Sequence, residues 1–292
     1  MRKIRLFFLG AFLLSSALFG KNLVLTSISS TYSLGKELTK GTNIRVESVF
    51  GSDTSMTMTR EAVAADSFVL PKEKVDAVID ISKIWLEDNL FERIRQENIH
   101  TVEIDASYPF DSKKSMLFFN YDKEGKVIPY VWMGTKNLVR MAAIITKDLI
   151  ALYPKETATL EKNLVTFTGK VMEMEEYGNK AFLEVDSAEV INLSPNINYF
   201  LNDFNIFAEE RTPEEVTEET VKKIMDETGL KVFVSDRWLK KKVVKEIEQN
   251  GGSFVVLNTL DIPMDKDGKM DEEAIWKSYK NNIDALKKAF LK

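Results

Sequence analysis

Short apolar runs alternate with segments of three- and four-residue apolar spacing along the whole chain. Asn22 to Ser27 reads as a β-strand, Tyr32 to Lys40 as a helix closed by Gly41, and Arg45 to Phe50 as a strand leading into a turn at residues 51–54. Val75 to Ile79 is a further apolar run, Trp85 to Asn98 reads as a helix, and Thr101 to Ile104 as a strand. Asn137 to Tyr153 places Leu138, Met141, Ile145, Leu149 and Leu152 on one helical face, and Tyr153-Pro154 stops it. Short apolar strands separated by amphipathic helices predict parallel sheets covered on both faces, an α/β fold.

A second helix follows at once. Leu160, Leu164, Phe167, Val171 and Met174 recur at helical steps until Gly178. The alternation then resumes, with expected strands at Ala181 to Val185, Glu189 to Leu193, Asn205 to Ala208, Lys231 to Val234 and Phe254 to Leu257. Thr212-Pro213 followed by Glu215 has the form of a capped helix start, predicting a helix to Gly229, and Glu272 to Leu291 reads as a closing helix. The reading is two lobes joined by one long helix: residues 21–153, a connector at 154–178, and 179–292.

The first twenty residues differ from the rest. Arg2, Lys3 and Arg5 precede an apolar run from Leu6 to Leu14, and Ser15, Ser16, Ala17 and Gly20 are small. This is the pattern of a cleaved secretory signal peptide, too short in its apolar part to span a bilayer comfortably. A periplasmic or secreted protein is expected. The chain has no cysteine, so a lipoprotein-type start is not expected either. Removing residues 1–20 leaves 37 basic against 45 acidic side chains. That acidic balance argues against nucleic acid and against an anionic membrane face.

Composition removes several chemistries. Without cysteine there is no disulfide, thiol nucleophile or iron–sulfur cluster, and a single histidine, His100, cannot build a multi-imidazole zinc site. No paired nucleophile and base is evident, so no enzyme and no cofactor is expected. His100, just before a strand, reads as a surface residue. Met56, Met58 and Met133 could offer soft thioethers to copper(I), but packing accounts for them. The acidic stretch from Asp265 to Glu273 lacks EF-hand spacing and reads as a polar turn and an acid-rich helix start. Glu173, Glu175 and Glu176, and Lys240 to Lys242, read as solvated helix faces.

The order of motifs resembles the zinc/manganese-type (cluster A-I) substrate-binding proteins of bacterial metal ABC transporters. The likeness rests on Val24 to Ile28 with Tyr32 to Leu38, Gly51 to Asp53, Val75 to Ile79 leading to Trp85-Leu86, Tyr130 to Met133 continuing through Asn137 to Pro154, Ser194 to Tyr199, and Phe254 to Leu257. The resemblance implies two Rossmann-like lobes joined by one long rigid helix, with small movements on ligand capture. It also implies a metal held between the lobes by three histidines and a carboxylate. Carried over, those positions fall on Ser55, Tyr130, Ser194 and near Asn258, with Trp132 and Asp261 as cleft neighbours. The His- and acid-rich insertion of the family is absent between Asp111 and Lys126.

Serine, phenol and amide are neutral donors that do not offset the dehydration of a divalent ion in a half-buried cleft, so no metal is expected there. They suit an uncharged or anionic organic solute instead. The expected function is solute capture for an ABC permease, by a monomer whose metal site is lost or repurposed. The alternative is a secreted interaction or adhesion protein on the same scaffold, with no transport role and a cleft filled by its own side chains.

Overall fold

The computed structural model describes residues 22–51, 53–112, 114–263 and 265–292; the expected signal peptide lies outside them. The first half runs β1 (Asn22–Thr26), α1 (Ser29–Leu38), β2 (Ile44–Ser48), α2 (Thr59–Ala64), β3 (Val75–Asp80), α3 (Leu90–Arg95), β4 (Val102–Asp105) and α4 (Thr135–Leu152). The 27-residue α5 (Thr157–Leu183) follows. The second half runs β5 (Glu189–Asn192), α6 (Asn198–Asp203), β6 (Phe207–Glu210), α7 (Val221–Thr228), β7 (Val232–Ser235), α8 (Lys241–Gln249) and β8 (Ser253–Val256). A short hairpin, β9 (Asp265–Lys266) and β10 (Lys269–Met270), and α9 (Ala274–Phe290) complete the chain.

Each lobe holds a four-stranded sheet of the same order, β2-β1-β3-β4 and β6-β5-β7-β8. Every pair within them is parallel, with Val24 opposite Val46, Asp80 opposite Asp105, and Val234 opposite Val255. The central strands β1, β3, β5 and β7 are largely buried because both faces are covered. In each sheet the connections diverge between the first and third strands, so a crevice opens beyond their carboxyl ends.

The long helix is tied to both lobes. Asn163 donates to the carbonyls of Leu38 and Lys40, Lys170 pairs with Glu37 at 2.9 Å, and Phe167 packs on Trp276 with ring centroids 5.0 Å apart. One apolar cluster runs from Val24 and Ile79 through Leu160 and Phe167 to Phe200, Val255 and Tyr279. The lobes therefore share a core.

Four expectations shift. The helix does not end at Gly178. A Cβ there would lie 2.2 Å from the Phe204 ring, so the glycine is a close-approach position inside the helix. The expected strand from Ala181 is instead the last turn of α5, with Phe182 packed edge-on against Phe204 and Phe290. Trp85 to Asp88 forms tight turns and only Leu90–Arg95 is helical, because the buried Asp88 carboxylate accepts from Ser27 and from the Ile81 amide. At Thr212 the capping contact forms, with its amide 2.5 Å from Glu215 Oε2, yet the helix begins only at Val221. The Thr217 and Thr220 hydroxyls bond the backbone between them and restart the chain.

Asp148, buried on α4, has its carboxyl pushed up to about 6, mainly by burial, against the opposing Phe110 amide. The native state then holds more protons than the unfolded chain between about pH 4 and 6, so this group's contribution to stability falls as pH rises through that window. Asp148→Asn is expected to leave Tm unchanged near pH 4 and raise it by a few degrees above pH 6.5. A gap of equal size at both pH values in thermal melts would contradict this.

Candidate functional site

The expected site residues all lie beyond carboxyl ends of strands. Ser55 follows β2 and opens a 3₁₀ turn over Met56–Met58, its hydroxyl accepting from the Thr57 amide. The same hydroxyl donates to Asp261 Oδ1 at 3.1 Å, and that oxygen also accepts from the Thr57 amide at 3.3 Å. The Met56 amide donates to the Asp261 carbonyl at 2.8 Å. These bonds pin a loop of the first lobe to the loop that follows β8 in the second.

Tyr130 and Trp132 flank this junction from below. Both are buried, with ring centroids 5.4 Å apart. Trp132 Nε1 donates to the Thr259 carbonyl at 2.9 Å, and the Trp132 carbonyl accepts from the Tyr279 hydroxyl at 2.9 Å. The Tyr130 phenol is held well above its ordinary pKa, first by burial, then by the Asp261 and Asp236 carboxylates, with the Arg237 guanidinium opposing. Tyr130 is thus a neutral hydrogen-bonding group across the whole physiological range, with three charged side chains around it.

Asn258 serves its own turn. Its Oδ1 accepts from the Leu260 amide at 2.8 Å, in a turn where Leu260 has φ +64°. Asn282 and Ser278 hold its backbone. Of the Asn258–Asp261 pair, Asp261 is the residue that reaches Ser55. Ser194 follows β5, and its hydroxyl accepts from the Asn196 amide. It lines a separate cavity of about 310 Å³ with Tyr121, Lys123 and Arg211. The structure therefore gathers Ser55, Tyr130 and Asp261, while Ser194 opens on a different cavity.

A cavity of about 600 Å³ is lined by Ser55, Thr57, Asp236, Arg237, Trp238 and Asp261, and Asn258 also borders it, as expected. Arg237 Nη2 stands 3.6 Å from Asp261 Oδ2, and Asp236 Oδ2 accepts from the Asn196 side-chain Nδ2 at 2.8 Å. Trp238 is 76% exposed, an aromatic face left open at the mouth. Sequence reasoning missed Arg237 and Trp238. Their signal was positional: they closely follow β7, a central strand beside the divergence point, where ligands bind in parallel sheets. Met56 and Met133 are buried and pack in the core, while Met58 is exposed. His100 is exposed and away from the cleft.

Two parallel-sheet lobes closing on a cleft, with one long helix between them, define a two-lobed solute-binding protein. The sequence profile of the family described as zinc-uptake complex component A, periplasmic (ZnuA), matches residues 24–289, and the chain belongs to that family. This places it among the substrate-binding proteins of ABC transporters. It is 28% identical over 111 residues to the metal ABC transporter substrate-binding lipoprotein FimA of Streptococcus parasanguinis, a match spanning 36% of each protein. The zinc-bound ZnuA-like domain of AdcA from Streptococcus pneumoniae superposes with a TM-score of 0.69 at 16% identity, over 94% of this chain and 100% of that one. The metal-dependent lipoprotein YcdH of Bacillus subtilis gives 0.68 at 19%, over 92% and 100%. At these identities the structural likeness is one of fold.

Proposed function

We propose that this chain is the extracytoplasmic solute-binding component of an ABC transporter whose cleft takes a small zwitterionic organic solute, not a bare zinc or manganese ion. The Arg237 guanidinium carries this reading, since the cleft already holds a cation beside Asp261 and Tyr130. A dication about 5 Å from a guanidinium is repelled by roughly 7 kcal/mol at an effective dielectric of 20. The Asp236 and Asp261 carboxylates offset that repulsion, but both are already engaged, by the Asn196 side chain and by Ser55, the Thr57 amide and Arg237, and no imidazole stands beside them to complete a transition-metal site. An organic solute with a carboxylate for Arg237, an amine for Asp236 or Asp261, and an apolar part for Trp238 matches the lining. The cavity volume lies within the range of small-molecule sites, which supports solute capture over the interaction-protein alternative.

The bound form would be presented to a membrane permease by a monomer. Among the described residues no helix is long and apolar enough to cross a membrane. FimA is named a lipoprotein, whereas this chain has no cysteine that could carry a lipid of that kind. Calorimetric titration with zinc chloride is expected to show no cleft binding tighter than about 10 µM. A thermal-shift panel of amino acids and dipeptides is expected to contain stabilisers whose effect Arg237→Ala removes. Submicromolar zinc or manganese binding, one per chain and lost in Asp261→Ala, would overturn the proposal.

A further inference from the structure

The equivalent crevice of the first lobe is built quite differently. Beyond the carboxyl ends of β1, β3 and β4, four acidic side chains crowd together: Asp80 ends β3, Asp105 ends β4, Glu103 precedes it, and Asp88 faces them. One carboxylate oxygen each from Asp80, Glu103 and Asp105 lies within 4.8 Å of the others. Asp80 is fully buried, and its Oδ2 has no hydrogen-bond partner. Among the described residues, no lysine or arginine nitrogen lies within 4.0 Å of any of these carboxylates. The nearest candidate, Lys83, donates its backbone amide to Asp105 Oδ2, but its side-chain nitrogen lies over the Tyr108 ring.

The other buried oxygens of this group have donors, which isolates the orphan. Asp88 accepts from Ser27 and the Ile81 amide, and Asp105 Oδ1 accepts from Ser107. Asp80 Oδ1 accepts weakly from the Ser82 amide at 3.4 Å, and Glu103 Oε1 accepts from the Ser82 hydroxyl at 2.7 Å. A buried carboxyl oxygen without donor, beside two further carboxyl groups and with no cation in ion-pair contact among the described residues, is left unsatisfied. It sits at the divergence point of a parallel sheet, where ligands bind.

We propose that Asp80, Glu103 and Asp105 form a binding site for a calcium-sized divalent cation, separate from the interlobe cleft. The ligand set is all oxygen, which selects hard cations over zinc or copper. Three points no more than 4.8 Å apart leave a position within roughly 2.8 Å of each. Calcium–oxygen distances are about 2.3–2.6 Å, so closure by a few tenths of an ångström suffices, while magnesium's shorter bonds demand more. The half-buried Glu103 and Ser82 open the site to solvent, and water completes the coordination.

The test is thermal unfolding of the chelator-treated chain in 5 mM calcium chloride, against magnesium chloride and sodium chloride of equal ionic strength. Calcium is expected to raise Tm by at least about 4 °C and the other salts by clearly less. Glu103→Gln, a conservative change at the most accessible of the three, is expected to fold, to keep its calcium-free Tm, and to lose the calcium response. Asp261→Ala is expected to retain it, which places the ion outside the cleft. Calorimetry is expected to give one calcium per chain for the native protein and none for Glu103→Gln. No calcium shift in the native chain, or an equal shift in Glu103→Gln, would overturn the site.

Discussion

Trp132→Ala is expected to destabilise the protein by about 3–5 kcal/mol, the usual cost of emptying a buried tryptophan site. The indole is 1% exposed and packs against Tyr130. Its Nε1 bond to the Thr259 carbonyl holds the turn that delivers Asp261. The cavity would open where first-lobe residues meet the second, so the surrounding side chains, shared by both lobes, have little freedom to collapse into it. A Tm lower by on the order of 10 °C follows for a chain of this size. Trp132→Phe would keep most of the packing and lose only the hydrogen bond, for about 1–2 kcal/mol. The two variants thereby separate packing from the bond. Denaturant melts of both, read with solute affinity, check the argument; an unchanged midpoint for Trp132→Ala would show that the indole is not what joins the lobes.

The second large effect is a gain. Ser55→His and Tyr130→His, combined with Arg237→Ala, are expected to confer zinc binding at least a hundred-fold tighter than the native chain's, on the order of 3 kcal/mol. Two imidazoles would then face the Asp261 carboxylate, which Ser55 already contacts and which lies beside Tyr130, and the repelling guanidinium would be gone. Two nitrogens and a carboxylate with one open position make an ordinary zinc donor set. Ser194 is left alone because it lines the other cavity. Zinc titrations of the triple variant and of the two-histidine variant retaining Arg237 separate the donors from the charge. If the triple variant gains nothing, the donor positions do not converge as argued.

Much of the architecture was legible in residue patterning. The apolar runs at residues 22–26, 75–80, 189–192 and 232–235 became central strands, because a strand covered on both faces needs apolar side chains at successive positions. The helices at 135–152 and 274–290 followed their apolar stripes for the same local reason. Errors occurred where a distant residue overrode a local signal. Gly178 looks like a terminator, but it admits the Phe204 ring against a helix that continues. Trp85 to Asp88 looks helical, but the Asp88 carboxylate is drawn to Ser27 at the end of β1.

For the cleft, the division is sharper. The sequence alone determined the donor chemistry: with no cysteine and one remote histidine, no arrangement of this chain could present several imidazoles or any thiolate to a metal. Only the tertiary structure decided that Asp261 is the carboxylate facing Ser55 and that Asn258 is spent on its own turn. The fold likewise brings Arg237 against Asp261, and gathers Asp80, Glu103 and Asp105, one of which carries an unpartnered buried oxygen. Residue identity fixes which atoms can donate or carry charge, and short-range pattern fixes where strands end. Which charges then meet depends on contacts between residues far apart in the chain, and no local spacing encodes those distances.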